Sequence, residues 1–316
     1  MPVSLVHTRR NVFQVVRDLL PVCRAGWVRP ILLANLVAEI GIVVTGGAVR
    51  LTGSGLGCPD WPTCAQGSLV PVATQNEGFH KFIEFGNRTL TGVLLVLAVL
   101  SLWAVLTALP LRRTLHRVAW GIIGGVVAQA VVGGITVWTG LNPAIVAFHF
   151  LCSMALVALA TGLVRGAEDG PEPRPRVALV PALVTQLGWG TAAVAAVVLV
   201  LGTVVTGSGP HSGDALKPAR TGFDPRLVSW LHADTVMLFI GLIVAMLVAV
   251  HVTTANTRAR KTWRTVLLVS LAQGAIGYVQ YFTALPVLIV GAHMLGAAVL
   301  AMVVTLGVAN LHRDPV

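Results

Sequence analysis

Three histidines and one acid–amide pair are the residues of this chain best placed to do chemistry. His149, His232 and His293 each lie near the start of a long apolar run, and Glu84 and Asn87 stand together at the start of another. Their spacing is not independent. Ala128-Gln129 with Gly133, Thr139, Leu141 and His149 recurs as Ala272-Gln273 with Gly277, Thr283, Leu285 and His293, at an offset of about 144 residues. Asn87 falls opposite His232, one residue out of that register, and Glu84 falls opposite Ser229. Two half-molecules follow one plan, and imidazole occupies three of four corresponding positions.

Facing histidines across a four-helix bundle are the arrangement that holds b-type haem, one imidazole on each face of the iron. Zinc is the rival, but the carboxylates or thiolates that complete such a site are missing around His293, where the run is Val290-Gly291-Ala292-His293-Met294-Leu295-Gly296. Small residues beside a ligating histidine let a flat macrocycle approach the backbone. A lone helical histidine is more often a satisfied polar group, and that reading suits His7, His116, His251 and His312. It suits His149, His232 and His293 less well, because polar groups are costly in a membrane. Glu84 and Asn87 share a helix face and point toward the space opposite His149; an ion pair of Glu84 with Lys81 or Arg88 is the weaker alternative.

The elements that must position these groups are transmembrane helices. Apolar residues make up 55% of the chain and charged ones 11%, too skewed for a water-soluble domain. Eight runs of roughly 20 residues, each able to cross about 30 Å of hydrocarbon, lie near 30–49, 88–109, 118–138, 144–164, 177–206, 228–251, 263–283 and 286–311. Strand-type alternation is absent, so the expected fold is an all-α integral membrane protein. The net charge of +10 is a topology signal, not a nucleic-acid footprint. Its Arg and Lys residues collect before span one and after spans two, four and six, which places both termini in the cytoplasm of a multi-pass protein in a bacterial plasma membrane.

Domain organisation follows. Residues 1–29 read as a cytoplasmic arm, 30–164 as a first four-helix half, 165–176 as a Pro-rich cytoplasmic linker and 177–316 as a second half. Because an even number of spans separates them, the two bundles are expected to be parallel pseudo-symmetric repeats. Cys58 and Cys64 fall in the outer loop between spans one and two, where a disulfide persists; a metal site would need further ligands. Cys23 and Cys152 read as unpaired thiols. Arg50 and Arg88, at the outer ends of spans one and two, are placed to pair with haem propionates, with Lys81 and His80 as weaker candidates. His80 is also a reserve ligand for the position that Asn87 occupies. Glu39, halfway along span one, has no visible basic partner: a structural acid or part of a proton path.

At this point the residues resemble a known family. The run from Thr45 to Pro62, with Arg50-Leu51-Thr52-Gly53-Ser54-Gly55-Leu56 at its centre, is similar to the haem A synthase family, as are Glu84 ahead of Asn87-Arg88, the Phe148-His149 pair, His232 and His293. The resemblance covers the chain from span one to span eight. It implies an enzyme, an oxidoreductase that converts a methyl group of haem O to the formyl group of haem A in cytochrome oxidase biogenesis. It also implies haem O in the first half and haem b as electron-transfer cofactor in the second. Partners implied are the haem O substrate, membrane lipid, haem O synthase and an electron donor; a homo-oligomer is compatible with it. Members commonly carry His where Asn87 stands, and some carry a second outer-loop cysteine pair where this chain has 207–214.

That departure shapes the expected mechanism. An iron held by two imidazoles has no vacant face, whereas one held by His149 alone keeps a face open. Asn87 then serves as a weak ligand or a hydrogen-bond donor, and Glu84 stabilises charge at the oxidised methyl carbon or accepts its proton. His232 and His293, with no carboxylate beside them, suit electron transfer through haem b. Two readings compete from other classes. A two-haem electron carrier explains the histidines but not Glu84 and Asn87; a repeat-built transporter explains Glu39 and the glycines Gly41, Gly46 and Gly47, but such sites tend to lie near the midplane.

Overall fold

The structure is a computed structural model that describes residues 19–65, 67–173, 175–214 and 217–313. Each apolar run is a helix: α1 Ala25–Leu51, α2 His80–Ala108, α3 Arg113–Trp138, α4 Pro143–Ala167, α5 Ala182–Ser208, α6 Pro225–Thr253, α7 Thr257–Phe282 and α8 Val287–Ala309. All eight are long and apolar enough to cross a membrane. A short antiparallel pair, β1 Val177–Ala178 and β2 His312–Arg313, joins the segment before α5 to the segment after α8. α4, α6 and α7 start before their apolar runs, where polar residues cap them, whereas α5 starts only at Ala182, and Val177–Ala178, expected in span five, form β1. Asn142 and Asp224 each accept a backbone N–H two residues on, with Pro143 and Pro225 at the first helical position, and Asn256 accepts the N–H of Ala259. α1 begins earlier than expected, so that Pro30 lies inside it; α2 begins at His80, which puts Glu84 and Asn87 in its first two turns.

Within residues 25–167, α1 packs on α2 and α4, and α3 packs on both α2 and α4; α5 to α8 repeat these four contacts. The two sets meet where α8 lies against α1 and α4, and where α4 touches α5. The first hydrophobic cluster combines Leu32, Leu36, Ala98, Val105, Ile122, Val126 and Val157, the second Phe239, Ile243, Met246, Trp263, Val266 and Leu300. A small third cluster of Val43, Met154 and Ala298 bridges them.

These cores are not spread evenly along the helices. Buried residues of α2 run from Leu94 onward apart from Lys81 and Glu84, those of α4 begin at Ser153, those of α6 resume at Phe239, and those of α8 begin at Ala298. Tight packing therefore occupies the linker end of each helix set. The histidines stand at the other end, among residues that are largely half-buried.

The linker end is fastened by charge. Arg165 pairs with Asp169 one turn on and donates through Nε to Asn310 Oδ1 (2.8 Å), while Asn310 Nδ2 donates to Thr262 (3.0 Å). Arg112 lies 3.9 Å from the same Asp169 and donates to the carbonyls of Gly166 and Gly170. Arg258 pairs with Glu168 at 2.6 Å. α4 thus extends to Ala167, past the boundary expected at residue 164, and its end is tied to α7 and the end of α8. Asp169→Ala leaves two buried guanidinium groups without this carboxylate and is expected to lower stability by about 3 kcal/mol, read as a fall in the thermal unfolding midpoint of the purified protein in detergent. An unchanged midpoint would mean that these pairs add nothing.

Candidate functional site

Each of the three histidines packs against a glycine of the neighbouring helix. A Cβ placed on Gly133 of α3 would lie 3.5 Å from His149 Cε1, one on Gly277 of α7 3.6 Å from His293 Cε1, and one on Gly202 of α5 3.4 Å from His232 Cε1. The absent side chains leave the helices close and the imidazoles pinned edge-on. In all three rings Nδ1 is buried with no hydrogen-bond partner. A buried ring nitrogen left unpaired is costly unless something else binds the ring.

Two glutamines, noticed in the sequence only as part of the repeat, hold these helices. Gln129 Nε2 donates to the His149 carbonyl (2.9 Å) and to Ser153 Oγ (2.6 Å); Gln273 Nε2 donates to the His293 carbonyl (2.9 Å). A Cβ on Gly296 would collide with the Gln273 amide, so glycine is needed there for the clamp to close. The turns that follow are duplicated as well. Leu141 donates to the Thr136 carbonyl and Leu285 to the Gln280 carbonyl, both at 2.8 Å, and both leucines have φ of 60°. Such left-handed residues close a helix end but cost a side-chain-bearing residue about 1–2 kcal/mol.

The fourth position differs. Asn87 Oδ1 accepts from Thr45 Oγ1 of α1 at 2.8 Å. Where His232 meets a glycine, Asn87 meets a hydroxyl, and its oxygen is already bonded. His80, the reserve ligand, is bonded instead through Nδ1 to Ser54 Oγ (2.8 Å), and Lys81 Nζ donates to the Val72 carbonyl (2.8 Å).

The ion pair ranked as the weaker alternative is present: Arg88 reaches Glu84 Oε1 through Nη2 (2.5 Å) and Nε (3.0 Å). Glu84 Oε2 accepts the backbone N–H of Cys58 at 2.7 Å, and the residue is 5% exposed. The remaining donors of Arg88 go to the carbonyls of Cys58 (2.8 Å), Asp60 (2.7 Å) and Thr63 (3.0 Å). The guanidinium is the hub of a loop closed by the Cys58–Cys64 disulfide. From this loop Trp61 drops onto α3, where its ring fills the space a Cβ on Gly134 would need and meets Trp138 edge-on at 5.3 Å. Gly134 adjoins Gly133, the residue against which His149 packs.

Arg50 likewise holds a loop. It donates to the carbonyls of His211 (2.6 Å) and Thr206 (3.0 Å), across the boundary between the two helix sets. Gly55 N–H donates to the Gly213 carbonyl (2.9 Å), and His211 Nε2 bonds the Leu285 carbonyl (3.0 Å). Leu141 seats its side chain where a Cβ on Gly55 or Gly213 would stand, so glycine is required at both.

Among the described residues no three His, Cys, Asp or Glu side chains cluster as a metal cage. Single imidazoles on facing helices, pinned by glycine, with an unpaired nitrogen and loose packing around them, fit a large apolar macrocycle rather than a hydrated ion. Residues 29–305 match the COX15-CtaA profile, described as cytochrome oxidase assembly protein. The chain belongs to this family. Among curated relatives, the family member from Symbiobacterium thermophilum named Heme A synthase is 30% identical over 185 residues, 56% of this chain and 58% of the relative. Its namesake from Exiguobacterium sibiricum is 32% identical over 170 residues, 52% and 54% of the two chains. That from Oceanobacillus iheyensis is 31% identical over 118 residues, 35% of each. The chain thus matches between 35% and 58% of the length of these three relatives.

For this COX15-CtaA member the Glu84–Arg88 pair makes a test. Glu84→Gln and Arg88→Met are each expected to lower stability by about 2–4 kcal/mol. Combined, they should cost less than their sum by at least about 1 kcal/mol, because both dismantle one network. Additive losses in a double-mutant cycle of thermal unfolding would show that the two act separately.

Proposed function

We propose that this protein oxidises a methyl substituent of haem O to a formyl group, yielding haem A. Residues 30–164 hold the substrate and residues 177–316 hold haem b. The observation that carries the reading is the broken repeat: His149 and His293 occupy equal positions against Gly133 and Gly277, yet His232 against Gly202 is answered by Asn87 bonded to Thr45. His232 and His293 would hold haem b, and His149 would hold the substrate iron, by imidazole. When bound, the haem groups supply the redox chemistry. The protein supplies position and charge.

Asn87, with its oxygen committed to Thr45, presents its amide N–H groups and would act as a hydrogen-bond donor toward the substrate rather than as an oxygen ligand. Glu84 has both oxygens engaged, one by Arg88 and one by the Cys58 N–H. A carboxylate fixed in this way suits electrostatic stabilisation of positive charge at the methyl carbon better than proton acceptance. Trp61 and the disulfide-closed loop shield the outer side of this half. The propionates remain the proposed counter-charges of Arg50 and Arg88, and both arginines would meet them from the loop carbonyls they hold now. The setting proposed is a bacterial plasma membrane with both termini in the cytoplasm, where haem O synthase delivers the substrate and a separate donor supplies electrons.

Expression of the full chain with haem O available tests this. His232→Ala and His293→Ala should each abolish the low-spin haem b spectrum. Glu84→Ala should accumulate haem O and lower haem A by about 100-fold or more in extracted haem separated by chromatography. Asn87→His should turn any high-spin iron of the first half low-spin. Parental amounts of haem A from Glu84→Ala would remove Glu84 from the reaction, and a wild-type protein that binds haem but never forms haem A would be an electron carrier.

A further inference from the structure

A second polar site lies far from the histidines. Along α1 the residues Asn35, Glu39, Val43 and Gly47 follow one another at intervals of one turn and so form a single stripe. The upper part of that stripe faces the seam between the two helix sets. Val43 clusters with Met154 of α4 and Ala298 of α8, and a Cβ on Gly47 would touch Met294 of α8. Asn35 and Glu39 continue it inward. Each is 1% exposed, and both polar atoms of each side chain are buried with no hydrogen-bond partner. About 20 Å of helix separates Glu39 from either end of α1, which places it in the middle of the hydrocarbon.

An acid in this position has few ways to exist. Ionised, it needs a cation, and the charged or titratable side chains of the helices packed on α1 stand elsewhere: His80, Lys81, Glu84 and Arg88 at one end of α2, His149, Cys152 and Arg165 on α4, and His293 on α8. None forms an ion pair or hydrogen bond with Glu39. Protonated, it still needs an acceptor for its O–H and a donor for its carbonyl oxygen. Asn35, one turn away, has the complementary amide and the same need. Buried water is what joins two such groups when they lie near but unbonded, provided the place is polar.

We propose that Asn35 and Glu39 form a hydrated proton-binding site in the membrane interior, with Glu39 as the neutral acid and ordered water bridging it to the Asn35 amide. The carboxyl proton passes to this water as the carboxyl takes another from it, so each exchange conserves charge. Neither residue touches a histidine, and the site does not depend on the haem reading.

Infrared spectra of the full-length protein in lipid nanodiscs, recorded in H2O and in D2O, test the proposal. The wild type should show a carboxylic-acid C=O stretch that moves to lower frequency in D2O and is missing from Glu39→Gln. Asn35→Leu should keep the band and raise its frequency, because a hydrogen bond is lost. Glu39→Asp, which shifts the band rather than deleting it, serves if the Gln variant does not fold. Two results overturn the proposal: no acid band that depends on residue 39, which means an ionised Glu39, or a band that stays put in D2O after the loop amides have exchanged, which means a dry site. Neither result bears on whether haem A is formed.

Discussion

A hydrocarbon interior offers a side chain no hydrogen bonds, and an imidazole placed there must find its partner in the protein or in a ligand. In this protein three imidazoles are set against glycine Cα atoms, which offer nothing to bond. The rest of the architecture follows from keeping them so. Glutamines on α3 and α7 grip the backbone carbonyls of His149 and His293, left-handed leucines end the helices just before them, and the buried residues of α4 and α8 begin only at Ser153 and Ala298.

Two fasteners compensate, one at each membrane face. At the linker end, Arg165, Asp169, Arg112 and Asn310 form a buried polar network that reaches from α4 to α7. At the histidine end, Arg50 grips the loop after α5, and Gly55 and Gly213 join their backbones under Leu141. Both place charge or backbone polarity at the rim of the hydrocarbon, where partial hydration makes it affordable, and both cross from one helix set to the other. Between them the contact is made by small or flexible residues such as Gly47, Ala298 and Met294. At that depth α1 also carries the buried pair Asn35 and Glu39.

The sequence reading located the eight spans, the repeat and the cysteine pair because each rests on a local or periodic signal: hydropathy, an offset, two cysteines in one outer loop. The Glu84–Arg88 ion pair was less legible: its spacing is that of a helical pair, but an outer loop ordinarily leaves such a pair wet and screened. The loop instead folds down on α2, burying the carboxylate and giving Arg88 the carbonyls of Cys58, Asp60 and Thr63. No periodicity reports where a carbonyl will point. Gln129 and Gln273 stood in the quoted repeat, yet their meaning requires knowing that their amides reach His149 and His293 across a helix pair. Duplication of a polar residue inside a span was the signal that would have found them.

The inequality between the two halves has a thermodynamic meaning under the haem A reading. A resident cofactor must not leave, whereas a substrate must enter and its product must depart. Under that reading two imidazoles, His232 and His293, would hold the haem of the second half. In the first half the position opposite His149 is Asn87, and Thr45 satisfies it whether or not a porphyrin is present. His149 would then be the one imidazole holding the substrate. Under that reading, two ligands against one would separate a half that retains its haem from one that can exchange it, and replacing one ligand of a duplicated pair would turn a binding site into a site of turnover.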